Sequence, residues 1–136
     1  MSLAAPSLHV ACAFGVVEVD LEDESVVDAV LEELEPRPRL ELGLPLVVDG
    51  DRVGARIVAV VDRRPPLVIS DDAGTTWRET GNGLPSGTAV AISPDHPDHV
   101  AYASEHRLFV SLDGGRFWRS LETELPGITG LRWRSG

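Results

Sequence analysis

The chain has no lysine and only one cysteine. Its twelve basic residues are all arginines, and they face 22 acidic residues, so the formal charge is −10. This balance disfavours a nucleic-acid backbone or an anionic membrane as a partner. The single cysteine, Cys12, excludes an intrachain disulfide and is consistent with a reducing compartment.

Targeting and membrane signals are also missing. The N-terminal stretch MSLAAPSLHVACAFGVV is apolar but has no basic region before it, which disfavours a signal peptide. No segment reaches the apolar length of a membrane span. We therefore expect a soluble, cytoplasmic protein. The 136 residues, 43% of them hydrophobic, suit one globular domain covering 1–136.

An internal repeat organises the rest of the sequence. SDDAGTTW (Ser70–Trp77) and SLDGGRFW (Ser111–Trp118) both fit S-x-D-x-G-x-x-W and lie 41 residues apart. Two Leu-Pro segments, Gly83–Pro85 and Glu124–Pro126, have the same spacing, and a third, Gly43–Pro45, lies 40 residues before the first of them. Repeats of this length indicate a repeat architecture, here with three units.

Each unit reads as four short strands joined by turns, which is typical of one β-propeller blade. The last unit predicts strands at Ala89–Ser93, Val100–Ser104, Arg107–Ser111 and Arg116–Leu121. The middle unit predicts strands at Leu46–Val48, Arg56–Val61, Leu67–Ser70 and Thr75–Thr80.

The first unit departs from this pattern. His9–Ala13 and Val16–Asp23 predict its second and third strands, with Asp20 at the Ser position and Glu22 at the Asp position of the motif, but the Gly and Trp are missing. Ser25–Leu34 has apolar residues at helical spacing and a capping Ser, which predicts a short helix. Pro36–Leu42 would then return as the fourth strand.

The strand that the first unit lacks is predicted at the other end of the chain, at Ile128–Trp133. The fold class is therefore all-β: a propeller with three four-stranded blades closed by strands from both termini. Blade 1 covers about 7–45 plus 128–133, blade 2 about 46–85, and blade 3 about 86–126.

Three blades are fewer than propellers usually have, roughly four to eight. They would leave a large apolar blade face bare, which favours a partner. We expect two chains to complete a six-bladed homodimer with two-fold symmetry. A closing strand at the C-terminus favours this over a fragment of a longer protein, and that strand could pair within its own chain or cross to the partner.

The two repeated octapeptides resemble the Asp-box, or BNR repeat, of sialidases, sortilin-type receptors, xyloglucan hydrolases and photosystem-II assembly propellers. The resemblance implies a structural turn between the third and fourth strands of a blade. Asp carboxylates can accept backbone N–H bonds there, and Gly can supply a positive φ. A calcium loop would need more oxygen ligands than each motif supplies. The structural residues would be Ser70, Asp72, Gly74, Trp77, Ser111, Asp113, Gly115 and Trp118.

A sialidase-like site would need an arginine cluster for a substrate carboxylate. Arg56, Arg107 and Arg132 are the candidates, but they occupy no common repeat position, and the first strands, which line the axis, read as apolar. The single tyrosine, Tyr102, aligns with Cys12 and reads as a core residue. A two-carboxylate glycosidase is an alternative that acidic residues alone do not establish.

The segment PDHPDH places His96 and His99 at a spacing that could hold a metal, yet it is also the expected turn between two strands. We predict no metal, because His99 has His9 as its repeat partner and so reads as a structural residue at a strand start. We predict no cofactor, since no phosphate loop or nucleophile elbow is present.

The sequence thus favours a non-catalytic binding or scaffold protein. The alternative is a carbohydrate-binding, lectin-like module or a glycosidase or sialidase remnant. Trp133, the tryptophan outside the motifs, is a possible ligand contact together with Arg56, Arg107 and Arg132.

Overall fold

The computed structural model describes residues 7–22, 24–30, 34 and 42–134, and it is all-β over these residues. None of them is helical, so the described part of the chain contains no helix that could cross a membrane. The strands are β1 (Ser7–Cys12), β2 (Gly15–Asp20), β3 (Ser25–Val30), β4 (Val47–Val53), β5 (Arg56–Val61), β6 (Leu67–Ser70), β7 (Arg78–Thr80), β8 (Ala89–Ile92), β9 (Val100–Ala103), β10 (Arg107–Ser111), β11 (Arg119–Glu124) and β12 (Gly130–Arg134).

These strands form three antiparallel sheets of four strands each. The first sheet has the order β12-β1-β2-β3, the second β4-β5-β6-β7, and the third β8-β9-β10-β11. In the first sheet, β12 pairs with β1 of the same chain, with Leu8 opposite Trp133 and Val10 opposite Leu131. The first sheet is therefore assembled from both ends of the described chain.

The third sheet lies between the other two, because its two faces contribute to two different apolar clusters. One cluster joins it to the first sheet and includes Leu8, Val10, Ala91 and Leu108. The other joins it to the second sheet and includes the fully buried Tyr102. Strands buried on both faces need continuous apolar runs, which explains why β8 and β9 are apolar throughout.

The face of the second sheet that points away from the third is not bare. Ala59, Val61 and Val68 are buried there, and Leu42, Leu44, Val47 and Trp77 pack over them. The large exposed apolar face expected from the sequence is therefore absent from this sheet, because the chain segment before β4 covers it.

The corresponding face of the first sheet carries a row of charged and polar side chains. Arg132, His9 and Glu18 stand in register across β12, β1 and β2, so their side chains share that face. Glu18 Oε1 forms a hydrogen bond with His9 Nε2 at 3.2 Å and accepts a second hydrogen bond from Arg134 at 2.6 Å. The Arg134 contact, opposed by burial and aided by His9, lowers the pKa of Glu18. The charged row therefore occupies part of this face, and Val16, on the same face of β2 as Glu18, is buried.

The predicted helix over Ser25–Leu34 is wrong, because Ser25–Val30 forms β3 and pairs with β2. Val26, Val27 and Val30 supply the apparent helical spacing, but β-branched residues favour strands. The return strand predicted at Pro36–Leu42 lies outside the described residues except for Leu42, which packs on the second sheet.

Several strand boundaries also differ from those expected. The fourth strands predicted from Thr75 and Arg116 begin at Arg78 and Arg119, and the closing strand begins at Gly130 rather than Ile128.

Two expectations about burial and composition change as well. The first strand of the middle unit, predicted as Leu46–Val48, is β4 and extends to Val53, and it is not apolar because it carries Asp49 and Asp51. Cys12, expected inside a buried strand, is only half-buried at the end of β1.

Candidate functional site

The turn between β6 and β7 is closed by the side chains of Ser70 and Asp72. The Ser70 hydroxyl donates to Asp72 Oδ1 at 2.7 Å and accepts from the backbone N–H of Gly74 at 2.8 Å. Asp72 accepts from the backbone N–H of Thr76 at 2.8 Å and from its hydroxyl at 2.6 Å. Ala73 and Gly74 have φ of 60° and 93°. The polar groups of this motif thus bind the turn's own backbone.

The turn between β10 and β11 repeats this arrangement. Ser111 donates to Asp113 Oδ1 at 2.7 Å and accepts from the Gly115 N–H at 2.8 Å. Asp113 accepts from the backbone N–H of Phe117 at 3.0 Å. The Trp118 indole then donates to the Gly115 carbonyl at 3.0 Å, which ties the start of the next strand to the turn.

These hydrogen bonds hold both carboxylates in the ionised form. Bonds from the side chain and backbone of Thr76, then from Ser70, lower the pKa of Asp72 to about 2. Bonds from the backbone of Phe117 and from Ser111 lower the pKa of Asp113 in the same way. A general acid or base works best with a pKa near the ambient pH, so these shifts are opposite to what acid–base catalysis needs.

The turn between β10 and β11, called the third-sheet turn below, also contacts the second sheet. Arg78 on β7 donates to the Gly114 carbonyl at 2.7 Å, and the Thr80 hydroxyl donates to the Gly115 carbonyl. A Cβ on Gly115 would lie 2.4 Å from Ile69 Cδ1, so the turn packs closely on the second sheet. The motif therefore joins two sheets as well as two strands.

The turn between β2 and β3 follows the same plan with different residues. The backbone N–H of Glu22 donates to Asp20 Oδ1 at 2.8 Å, and Glu24 has φ of 54°. From the third sheet, the Thr123 hydroxyl donates to the Glu24 carbonyl, and Arg119 pairs with the Glu24 carboxylate at 3.1 Å. Glu24 thus occupies the position and the left-handed backbone of Gly115, and its carbonyl likewise accepts from a Thr hydroxyl of the neighbouring sheet. The arginine contact differs, because Arg119 pairs with the Glu24 carboxylate whereas Arg78 donates to the Gly114 carbonyl.

Arg56, a predicted ligand contact, is engaged in ion pairs between the second and third sheets. Its guanidinium donates to Asp71 at 2.8 Å, to Asp98 at 2.8 Å and to the Pro97 carbonyl at 2.9 Å. Burial opposes the charge, but the bonds to Asp98 and Asp71 outweigh it and raise the pKa of Arg56. Its Nε and Nη1 groups therefore donate within the protein.

The structure does not gather the three candidate arginines into one group. Arg56 lies on β5, Arg107 on β10 and Arg132 on β12, each in a different sheet. Arg107 forms an ion pair with Glu124 on the adjacent strand. Arg132 is half-buried in the charged row of the first sheet.

The rings of His96 and His99 lie with their centroids 4.9 Å apart at a tilt of 33°, and the ring centroid of His99 lies 6.1 Å from that of Trp133. Burial, and the charge of His96, lower the pKa of His99. Among the described residues, no three His, Cys, Asp or Glu side chains are grouped closely enough to hold a metal ion. Tyr102 is buried, and its hydroxyl donates to the Pro85 carbonyl at 2.6 Å.

Sequence reasoning missed a pair of carboxylates on β4. Asp49 and Asp51 accept hydrogen bonds from the backbone N–H groups of Val90 and Ile92 on β8, at 3.0 and 2.8 Å. The signal was the alternation in VVDGDRV, which places both Asp residues on one face of the strand. Here too the carboxylates bind backbone.

Three cavities among the described residues are candidate binding sites, and one of them, of about 520 Å³, is lined by Arg56, Asp71 and Asp98. A groove of about 540 Å³ runs between β7 and the third-sheet turn, with Arg78, Asn82, Arg116 and Trp118 on its walls and Phe117, 78% exposed, at its edge. A smaller pocket of about 190 Å³ lies between the first and third sheets and includes Trp133. Trp133, predicted as a ligand contact, lines this pocket and also donates its indole N–H to the Ala91 carbonyl at 2.9 Å.

Comparison with known proteins gives one partial similarity. No family model matches the chain, and no solved structure matches it. The chain is 36% identical over 62 residues to vacuolar protein sorting/targeting protein 10 of Zygosaccharomyces rouxii. The match covers 43% of this chain and 4% of that protein, so the chain spans a small fraction of its relative.

Proposed function

We propose that the chain is a non-catalytic binding or scaffold domain built on Asp-box turns. One observation carries this proposal. In each turn, the Ser hydroxyl and the Asp carboxylate of the motif form hydrogen bonds with the backbone of that same turn. The similar protein is named for sorting and targeting. From that name we take only a binding role without a chemical step.

The proposed arrangement of the sheets is that of propeller blades. Two observations support it: β8 packs against both β4 and β12, and each sheet contributes to an apolar cluster shared with its neighbour. Asp51 accepts a hydrogen bond from the Ile92 N–H on β8, and the Trp133 indole donates one to the Ala91 carbonyl on β8. These bonds link strands that would surround the axis. A propeller of this kind presents its faces and central channel to ligands.

Hydrolysis assays test the non-catalytic assignment. The purified chain is incubated with fluorogenic sialosides and with α- and β-glycosides, and we expect no turnover above buffer. The carboxylate pair to watch is Asp49 and Asp51. Turnover that disappears in Asp49→Asn or Asp51→Asn, with the fold retained by circular dichroism, would overturn the proposal.

Carbohydrate binding is the second candidate, and the groove beside Phe117 favours it. An exposed aromatic ring next to Arg78, Asn82 and Arg116 offers both a stacking surface and hydrogen-bond donors, as sugars require. A glycan array tests this function. Binding that Phe117→Ala abolishes would support it, and a clean negative would remove it.

The six-bladed homodimer stays a proposal, and exposed apolar side chains on the two outer sheets support it. Val26 and Val27 on β3 are 45% and 56% exposed, and Leu46 and Val48 near β4 are 59% and 50% exposed. Multi-angle light scattering decides the question. A monomer at micromolar concentration would refute the completed ring, and a dimer would support it.

A further inference from the structure

The two junctions between sheets differ in how closely their turns pack. At the junction of the second and third sheets, Gly115 leaves no room for even a Cβ beside Ile69, and Arg78 reaches the Gly114 carbonyl. At the junction of the third and first sheets, the residues 41 positions later are Val110 and Arg119. They face the turn of the first sheet, which lacks the Gly and Trp.

A pocket of about 190 Å³ lies at this second junction. Its inner walls are Leu21, Val110 and Trp133, which are 6%, 4% and 8% exposed, and Leu112, 59% exposed, stands at its mouth. An apolar cavity of about 150 Å³ is large enough to bind benzene. The pocket therefore has the size and lining for one aromatic ring.

Two rings form the side of the pocket that would contact such a ligand. The Trp133 indole N–H is already bonded to the Ala91 carbonyl, so the ring itself is what Trp133 offers to a ligand. His99 lines the pocket, and burial lowers the pKa of its imidazole, which favours the uncharged ring. Aromatic rings pack favourably with each other in offset or edge-on geometry.

The charges at the mouth select for a cation. Arg119 is paired with Glu24 at 3.1 Å, which neutralises its charge locally. Glu22 also lines the pocket, and its exposed carboxylate forms no ion pair among the described residues. The formal charge of −10 adds a long-range attraction for cations.

We propose that this pocket is a binding site for an aromatic ring carried by a cationic group, with the ring against Trp133 and His99 and the cation beside Glu22. The assignment deepens the proposed binding function by naming a ligand class and a place. The two proposals can fail separately. Turnover assays test whether the chain is non-catalytic, and binding of defined small molecules tests this pocket.

The test is an NMR titration with 2-phenylethylamine, followed at the indole N–H of each tryptophan. We expect saturable shifts at Trp133, with affinity about five- to tenfold above that of phenylacetate, because the amine forms an exposed ion pair with Glu22 where the carboxylate would be repelled. Butylamine, which lacks the ring, should give no saturable shift. No saturation with 2-phenylethylamine, or equal affinity for phenylacetate, would overturn the proposal.

Two variants locate the site. Leu112→Trp places a bulky ring at the mouth of the pocket and should abolish the shifts, while Phe117→Ala in the separate groove should leave them unchanged. Glu22→Gln, at an exposed position, should weaken 2-phenylethylamine about threefold and narrow its advantage over phenylacetate. If Leu112→Trp fails to fold, the test rests on Glu22→Gln alone. An unchanged preference of that variant for 2-phenylethylamine over phenylacetate would refute the assignment.

Discussion

Asp51 on β4 accepts a hydrogen bond from the backbone N–H of Ile92 on β8 at 2.8 Å, although the two residues belong to different sheets. On the same strand, the Ala91 carbonyl accepts from the Trp133 indole at 2.9 Å. β8 is an edge strand, whose outer N–H and C=O groups have no ladder partner. Asp49 and Asp51 of the second sheet accept from such outer N–H groups, and the Trp133 indole of the first sheet adds its bond to the Ala91 carbonyl, so side chains from both neighbouring sheets hold β8 in place.

Removal of the Asp51 carboxylate should destabilise the protein. Asp51→Ala leaves the Ile92 N–H without an acceptor, which typically costs about 1–3 kcal/mol in the free energy of unfolding. Asp51→Asn is the matched control, because its amide oxygen still accepts, so its loss should be smaller. Urea unfolding followed by far-UV circular dichroism measures both. Equal losses for the two variants would show that the charge, rather than the acceptor, matters.

Acid should weaken the contribution of Asp72. Its pKa is lowered from 3.8 to about 2 in the folded chain by the bonds from Thr76 and Ser70. The folded state thus binds the proton less readily than the unfolded state, so the stabilisation is fully present above about pH 4 and is lost as the pH falls through about 2. Asp113, with its lowered pKa, contributes with the same sign.

Urea unfolding of the wild type and of Asp72→Asn, measured at several pH values between 6 and 2, tests this pH dependence. We expect the wild type to have a higher urea midpoint than Asp72→Asn at pH 6, and we expect the difference between the two midpoints to shrink as the pH falls towards 2. A difference that stays constant across this range would contradict the assigned pKa.

The two motif glycines should differ in their tolerance of alanine. Gly74 has φ of 93°, and a Cβ there would meet its nearest atom at 3.7 Å, so Gly74→Ala costs only the left-handed strain, about 1–2 kcal/mol. Gly115 has φ of 88°, and its Cβ would lie 2.4 Å from Ile69 Cδ1. Gly115→Ala adds overpacking, about 1–3 kcal/mol more.

Chemical denaturation of the two alanine variants side by side tests the comparison. If Gly115→Ala is no worse than Gly74→Ala, the close approach of the third-sheet turn to Ile69 is not maintained in solution.

The repeat period and the strand alternation placed several strands correctly from sequence. β5, β6 and β10 begin and end at the predicted residues, Arg56–Val61, Leu67–Ser70 and Arg107–Ser111. Their apolar runs are flanked by Gly, Pro or polar turn residues, which leaves little freedom at either end. The segment after β2 was misassigned because valines spaced for a helix also suit a paired strand, and only pairing with β2 decides between them.

The candidate binding pocket could not be read from local patterns. It is assembled from the ends of β2 and β10 together with His99 and Trp133, which are far apart in sequence. The sequence shows that the first unit lacks the Gly and Trp of the motif. Whether this leaves a pocket depends on how Arg119 and Glu24 pack between the third and first sheets. Such packing is a tertiary property that spacing alone does not give.

The remaining prediction concerns the residue before the motif glycine. Ala73 has φ of 60°, and Gly114, 41 residues later, has φ of 73°. An L-residue in this region costs roughly 1–2 kcal/mol, while glycine loses about 0.5–1 kcal/mol more backbone entropy on folding. Ala73→Gly should therefore stabilise the chain, by up to about 1 kcal/mol.

The reciprocal variant, Gly114→Ala, should destabilise it for two reasons. It places a side chain in the left-handed region, and its Cβ would lie 3.1 Å from Arg56 Nη1, which disturbs the ion pairs of Arg56 with Asp71 and Asp98. Urea midpoints of the two variants should thus move in opposite directions. If Ala73→Gly lowers the midpoint, the second-sheet turn does not hold Ala73 in the left-handed conformation, and the two turns are not equivalent.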